Sequence, residues 1–183
     1  MRLILASASP RRRELLAQAG FTFEVIAADI DESRREREAP AEYVQRLALE
    51  KAQAIASRHT DAIVLGADTT VVLDGEVMNK PVDPADATRM LRALSGKTHQ
   101  VHTGIAVVSA HGSKSHIETT NVVFRAIEDD ELRTYVASGD PMDKAGAYGI
   151  QGYAARWIPC IEGDYFNVVG LPLSAAVGML PGK

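Results

Sequence analysis

From Pro40 to about His59 the apolar residues Val44, Leu47, Ala48, Ala52, Ile55 and Ala56 recur at helical spacing, and they predict the best-defined helix of the chain. Arg2 to Ala6 reads as a buried strand. Ser9-Pro10 then supplies an N-cap and a first-turn proline for a helix reaching about Ala19, where Gly20 stops it. Phe21, Phe23 and Val25 alternate imperfectly with their neighbours and predict another strand through Ile26. Ala62 to Leu73 is rich in β-formers, and Asp74-Gly75 turns it into a second arm, Glu76 to Met78. Asp83-Pro84 caps a helix carrying Ala87, Met90, Leu91 and Leu94, which Gly96 ends. Thr98 to Ser109 and His116 to Ile127 flank a polar turn near Gly112 as a long hairpin. A helix over Asp129 to Ser138 ends at Gly139, and a short apolar helix follows Pro172.

This order predicts an α/β fold: one mixed twisted sheet with helices packed around it, in a single domain over residues 1–183. No repeat, low-complexity segment or linker divides the chain. At 183 residues, 46% of them hydrophobic, it can bury roughly 70% of its unfolded surface without a disulfide or structural metal. Cys160 is the one cysteine, which suits a reducing, cytoplasmic setting. Met1 to Ala6 lacks the basic flank, long apolar core and cleavage site of a signal peptide, and no window is long enough to span a membrane. A net charge of −4 counts against binding to nucleic acid, so any anion site must be local.

One local concentration of positive charge stands out. Ser7-Ala-Ser-Pro-Arg-Arg-Arg13 lies between a strand and a helix, where unpaired backbone N–H groups face outward. The helix dipole disfavours cations there, so three arginines fit well if phosphate docks beside them; otherwise they form a solvated basic patch. Asp68 interrupts the apolar run Ile63 to Leu73. A carboxylate there requires a metal, a cation, water or local N–H groups, and it reads as functional. Lys51 lies in line with the apolar stripe between Leu47 and Ile55, either snorkelling or binding phosphate, and Lys80 is a second candidate. Glu32 sits in the charged segment Asp29 to Glu38, which otherwise reads as an exposed mobile loop. Glu32 is a solvated acid, or else a second hard oxygen ligand beside Asp68 for a cation shared with phosphates.

Other patterns fail. Gly96-Lys97-Thr98 resembles the end of a phosphate loop, but the glycine required five positions earlier is Leu91. Gly146, Gly149 and Gly152 lack the dinucleotide spacing and read as a tight loop. His99 and His102, three apart on a strand, point to opposite faces. Cys160 has no histidine placed as a base and reads as a buried or half-buried bystander.

Taken together, Ser7-Ala-Ser-Pro-Arg-Arg-Arg13, Asp31-Glu32, Glu50-Lys51-Ala52, Gly66-Ala-Asp-Thr69, Lys80-Pro81, Leu94-Ser-Gly96, Ala145-Gly-Ala-Tyr-Gly-Ile-Gln-Gly152 and Val169-Gly-Leu-Pro172 resemble the Maf family over nearly the whole chain, in order. The resemblance implies an elongated fold related to inosine triphosphate pyrophosphatases, with substrate in a cleft between two lobes, and often a homodimer. It also implies an enzyme that uses a divalent cation, Mg²⁺ or Mn²⁺, to cut nucleoside triphosphates into monophosphate and pyrophosphate. The family's proton acceptor falls on Asp68. Its phosphate and metal residues fall on Ser7, Arg12, Glu32, Lys51 and Lys80, with Asp68 joining Glu32 at the metal.

Three positions separate the branches of the family, and here they are Arg11, Thr69 and Gln151. The branch resembling a 7-methylguanosine triphosphate pyrophosphatase has tryptophan, glutamine and glutamate, which suit a cationic base. Arginine with two neutral residues suits an uncharged one, and the Gln151 amide can read the O4 and N3–H edge of uracil or thymine. The expected substrates are therefore dTTP and UTP. A nucleotide-binding regulator of cell division or septum formation is the non-catalytic alternative.

Overall fold

A computed structural model of the chain describes residues 2–181; Met1, which opens the first apolar run, and the final Gly182 and Lys183 lie outside the described residues. Six helices and seven strands follow the order β1 (Arg2–Leu5), α1 (Pro10–Gln18), β2 (Glu24–Val25), α2 (Pro40–Ala56), β3 (Ala62–Leu73), β4 (Glu76–Met78), α3 (Pro84–Leu94), β5 (Thr98–Ser109), β6 (Gly112–Val123), α4 (Asp129–Ala137), β7 (Cys160–Glu162), α5 (Tyr165–Val169) and α6 (Leu173–Met179) among the described residues. Three short 3-10 turns separate α4 from β7. The strands form one open mixed sheet in the order β2-β1-β3-β5-β6-β7, with β4 paired to β3. β1 runs parallel to β2 and β3, while the β3–β4 and β6–β7 pairs are antiparallel. No described helix is long and apolar enough to cross a membrane.

Most predicted elements lie where the pattern puts them, and the departures have local causes. β2 is only Glu24–Val25, paired with Ile4 and Leu5 at the carboxyl end of β1. β6 begins at Gly112 and ends at Val123, earlier than expected at both ends. Beyond Val123 the chain leaves the ladder: Phe124 donates its N–H to the Lys97 carbonyl and Arg125 to that of Trp157. The glycine-rich stretch after Lys144 is the tight loop expected, with positive φ at Gly146 and Ala147.

By contacts the chain divides into two compact units, each with its own core. The first comprises Met1–Thr69, Thr103–Glu118 and Gly170–Lys183. Here the apolar stripe of α2, including Ala48, Ala52 and Ile55, packs on Ile4, Val64 and Ala106 of the sheet and on Ala6 just past β1. Pro40 occupies the first helical position of α2, and the Glu42 carboxylate accepts the Ala39 N–H, so the helix start is well determined. Two glycines set how closely this helix lies on the sheet. A Cβ on Gly66 of β3 would sit 2.1 Å from the Ala48 carbonyl oxygen, and one on Gly104 of β5 would sit 2.3 Å from that of Val44. Side chains alternate along a strand, so Val64, Gly66 and Asp68 share the face turned to α2.

The second unit comprises Thr70–His102 and Thr119–Val169. Its core gathers Leu91 and Leu94 of α3, Leu132 and Tyr135 of α4, Phe124, Tyr148 and Trp157. His99 is buried in this aromatic cluster, edge-on to Phe124 and Tyr148, with its Nε2 2.7 Å from the Tyr148 hydroxyl. His102 instead meets the Thr119 hydroxyl, so the two histidines serve different partners. Burial pushes the His99 imidazole down to about 4.

Two measurements test these cores. Gly66→Ala should cost about 2–3 kcal/mol in urea unfolding, because the new methyl meets helix backbone that cannot rotate away. His99 is neutral when folded and protonates near pH 6.5 when unfolded, so the unfolded state binds the extra proton between about pH 4 and 6.5. Stability attributable to it is complete above that window and is lost as pH falls through it, by on the order of 3 kcal/mol. His99→Gln should flatten the slope of stability against pH there; an unchanged slope contradicts the assignment.

Candidate active site

β3 continues past the end of its parallel neighbour. Leu5, the last residue of β1, pairs with Leu65, and the Ala6 N–H still reaches the Leu65 carbonyl before the chain turns away at Ser7. Asp68 and Thr69 thus extend beyond the carboxyl end of β1, beside the turn that leads into α1. In open α/β sheets this is where ligands collect.

The turn is bound to β3 by Arg12. Its Nε donates to the Gly170 carbonyl at 2.8 Å, and one terminal nitrogen donates to the Ser7 hydroxyl at 3.1 Å and the Ala67 carbonyl at 2.9 Å. The other donates to the Thr69 hydroxyl at 2.9 Å. Four of the five guanidinium N–H groups therefore point at protein oxygens. Ser7 is buried, and its oxygen also accepts the Ser9 N–H, leaving its own hydrogen to donate. The Ser9 hydroxyl caps α1 on the Arg12 N–H. Thr69 lies 2.9 Å from the buried Thr103 hydroxyl of β5. Burial pulls the pKa of Arg12 down, Asp68 and Glu32 push it up, and Arg11 adds to the lowering.

On the opposite face of β3, Lys51 meets Asp68. Both residues are 8% exposed, and the ammonium lies 2.7 Å from Asp68 Oδ1. Glu32 Oε1 approaches the same ammonium at 2.9 Å, so two carboxylates converge on one cation. Lys51 is therefore an internal ion-pair partner, and its head does not snorkel to water. Burial pushes the Asp68 carboxyl above the usual carboxylate range, while Lys51 and then Arg12 pull it back. A carboxyl poised upward suits a proton acceptor better than a fully stabilised anion does.

The charged segment before α2 is exposed over most of its length, as expected, yet it is tied down. The Tyr43 hydroxyl donates to the Glu32 carbonyl at 2.8 Å, and Arg46 holds Glu38 in a two-pronged ion pair. That pair holds Glu38 well below the usual range, at about 2. Tyr43, Arg46, Glu38 and Thr103 were not among the residues singled out from sequence; the one available signal was the four-residue spacing of Arg46 and Glu50 along a helix.

Ser7, Arg11, Arg12, Glu32, Lys51, Asp68 and Thr69 all belong to the first unit. Lys80 and Gln151 belong to the second. Lys80 is exposed just after β4, beside Asn79, whose carbonyl accepts the Gly146 N–H. Gln151 is exposed on an open hollow of about 490 Å³ whose walls include Ile150, Ile158, Ile161 and Tyr165. Cys160 lines the same hollow and is exposed, correcting the buried or half-buried position expected for it: it opens the three-residue strand β7, whose two end residues are both exposed. Among the described residues, no three His, Cys, Asp or Glu side chains are placed together to hold a metal.

The Maf-like protein family model matches residues 2–182. The chain belongs to the Maf family. A dTTP/UTP pyrophosphatase of Koribacter versatilis is 51% identical over 98% of this chain and 93% of its own length. Proteins of the same description from Symbiobacterium thermophilum and Moorella thermoacetica are 54% and 56% identical, over 97% and 94% of this chain and 92% and 90% of theirs. A solved nucleoside-triphosphatase / dITP/XTP pyrophosphatase from Mycobacterium abscessus is a more distant likeness, 19% identical with a TM-score of 0.43 over 68% of this chain and 73% of that one. The motifs carrying the Maf resemblance thus include all three segments of the Arg12 web, the Ser7–Arg13 turn, Gly66–Thr69 and the stretch from Val169 to Pro172.

The Lys51–Asp68 pair yields a stability test. Lys51→Met should destabilise the protein by about 3–5 kcal/mol, since it leaves a buried carboxylate without its cation. The double variant Lys51→Met/Asp68→Asn should recover most of that loss in urea unfolding. No recovery means that Lys51 acts through packing alone.

Proposed function

We propose that this Maf protein is a nucleoside triphosphate pyrophosphatase that cleaves dTTP and UTP between the α- and β-phosphates, leaving the monophosphate and pyrophosphate. The observation that carries the reading is the buried Asp68 carboxyl, raised by desolvation yet 2.7 Å from the Lys51 ammonium, at the sheet end where the Arg12 turn begins. The full-length likeness to proteins described as dTTP/UTP pyrophosphatases supports the substrate class.

In this reading Asp68 accepts the proton of the attacking water, whose oxygen bonds to the α-phosphorus as the bond to the β-phosphate bridging oxygen breaks. Lys51 and Arg12 supply positive charge to the phosphate oxygens, with the Ser7 hydroxyl hydrogen as a further donor and Lys80 as another phosphate ligand. Because Arg12 directs most of its donors at Ser7, Ala67, Thr69 and Gly170, it contributes mainly a fixed charge and the shape of the turn. Arg11, Thr69 and Gln151 are the residues we assign to discriminating the base. The protein works as a homodimer in the cytoplasm.

Glu32 and Asp68 suit a hard divalent cation such as Mg²⁺ or Mn²⁺. Their carboxylates already converge on a single positive centre, the Lys51 ammonium, and two carboxylates are what Mg²⁺ takes from a protein when phosphates complete its shell. When bound, such an ion neutralises charge developing on the phosphate oxygens.

A panel of dTTP, UTP, CTP, GTP and 7-methyl-GTP, assayed for pyrophosphate with and without Mg²⁺ or Mn²⁺, tests the proposal. We expect cation-dependent release from dTTP and UTP, and a loss of at least 100-fold in kcat for Asp68→Asn with the fold retained. Preference for 7-methyl-GTP overturns the base assignment; tight nucleotide binding without release favours the regulatory alternative.

A further inference from the structure

Glu32 reaches Lys51 from a segment with no regular secondary structure, and its own side chain is 56% exposed. Packing does not hold that carboxylate. Its position depends on the backbone that carries it, and that backbone is held at Glu32 itself and at the residue that follows. The Glu32 carbonyl accepts the Tyr43 hydroxyl at 2.8 Å. The next carbonyl, that of Ser33, accepts an Arg46 N–H at 3.0 Å, while the Ser33 N–H turns back to the Asp31 carboxylate at 2.9 Å.

Arg46 is the centre of this arrangement. Its guanidinium donates twice to Glu38, at 2.5 and 2.8 Å, and once to Glu50 at 3.0 Å, in addition to Ser33. The side chains of Arg46 and Glu38 are only 13% and 8% exposed, so this two-pronged pair is shielded from water and keeps more of its strength than a surface ion pair. Glu38 ends the charged segment and Ser33 directly follows Glu32, and Arg46 grips both. The chain from Ser33 to Glu38 is thereby a loop with both ends fixed to the helix that carries Lys51, and Glu32, bonded to Tyr43, adjoins its first anchor.

We propose that Arg46, with Glu38 and the Tyr43 hydroxyl, is a positioning device for Glu32, holding its carboxylate at the place where the divalent cation binds. None of the three touches substrate; each acts by limiting where the Glu32 backbone can go. The idea rests on the pyrophosphatase reading for the role of Glu32, but its physical content is the coupling of Tyr43 and Arg46 to Glu32.

Tyr43→Phe is the primary test, since it deletes one hydroxyl and keeps the buried ring; Arg46→Lys is the second, keeping the charge while losing the fork. Each is combined with Glu32→Gln in a double-mutant cycle, read as kcat/KM for dTTP and, without nucleotide, as Mn²⁺ affinity by electron paramagnetic resonance. We expect Tyr43→Phe to weaken Mn²⁺ binding three- to tenfold and Arg46→Lys more, with KM for the cation rising and kcat at saturating cation nearly unchanged. In the Glu32→Gln background both should have no further effect. Additive losses overturn the proposal, because a merely structural role costs the same with or without the Glu32 carboxylate. An unchanged Mn²⁺ affinity in Glu32→Gln also overturns it. Wild-type protein that binds Mn²⁺ with the predicted coupling but releases no pyrophosphate sinks the functional reading and leaves the positioning device supported.

Discussion

The contact between the Lys51 ammonium and the Asp68 carboxylate, made almost wholly out of water, constrains much of the first unit. An ammonium and a carboxylate give up several kcal/mol of hydration each on burial, and only close mutual approach offsets it. That approach requires α2 to lie nearly on the backbone of β3 and β5, which Gly66 and Gly104 permit by presenting no Cβ to the Ala48 and Val44 carbonyls. The same strand face carries Val64, Gly66 and Asp68 in turn: an apolar contact, a gap for the helix and a charge. The helix answers with Ala52, Ala48 and Lys51. Helix position, carboxyl protonation and cation placement are thus consequences of one packing arrangement.

Arg12 performs a comparable task on the other face of β3 by different means. Its guanidinium ties the turn after β1, the β3 backbone and the loop at Gly170 into one web of neutral acceptors. A guanidinium that donates four hydrogen bonds to uncharged oxygens retains its full positive charge. The turn therefore keeps its attraction for anions while its geometry is fixed, even though the helix dipole by itself would disfavour a cation at this end. Thr69, paired with Thr103, is part of the same web, so a residue we propose for reading the base also fixes the arginine beside it.

The segment carrying Glu32 shows how an irregular chain can be placed without secondary structure or a core of its own. Its anchors are carbonyls and carboxylates taken up by Tyr43 and Arg46, both on α2, the helix that supplies Lys51. A single helix consequently sets the positions of two charged groups relative to Asp68, one by packing and one by hydrogen bonds.

The sequence alone determined every helix except the five-residue α5, most strands and the Asp74-Gly75 hairpin, because hydrophobic period, caps and turn residues are properties of neighbours along the chain. It also made Asp68 conspicuous as the one acid in an apolar run, and the ordered motifs indicated the family. Tertiary structure decided what no local pattern encodes. It decided that Lys51 is an ion-pair partner and that Arg12 spends its fork on the protein. It decided that Arg46 reaches the Ser33 carbonyl thirteen residues earlier, and that Cys160 is exposed. Each depends on groups distant in sequence meeting at a few ångströms, where burial multiplies the strength of a charge contact. Residue type and spacing name the candidates, and only the packed backbone selects the partners.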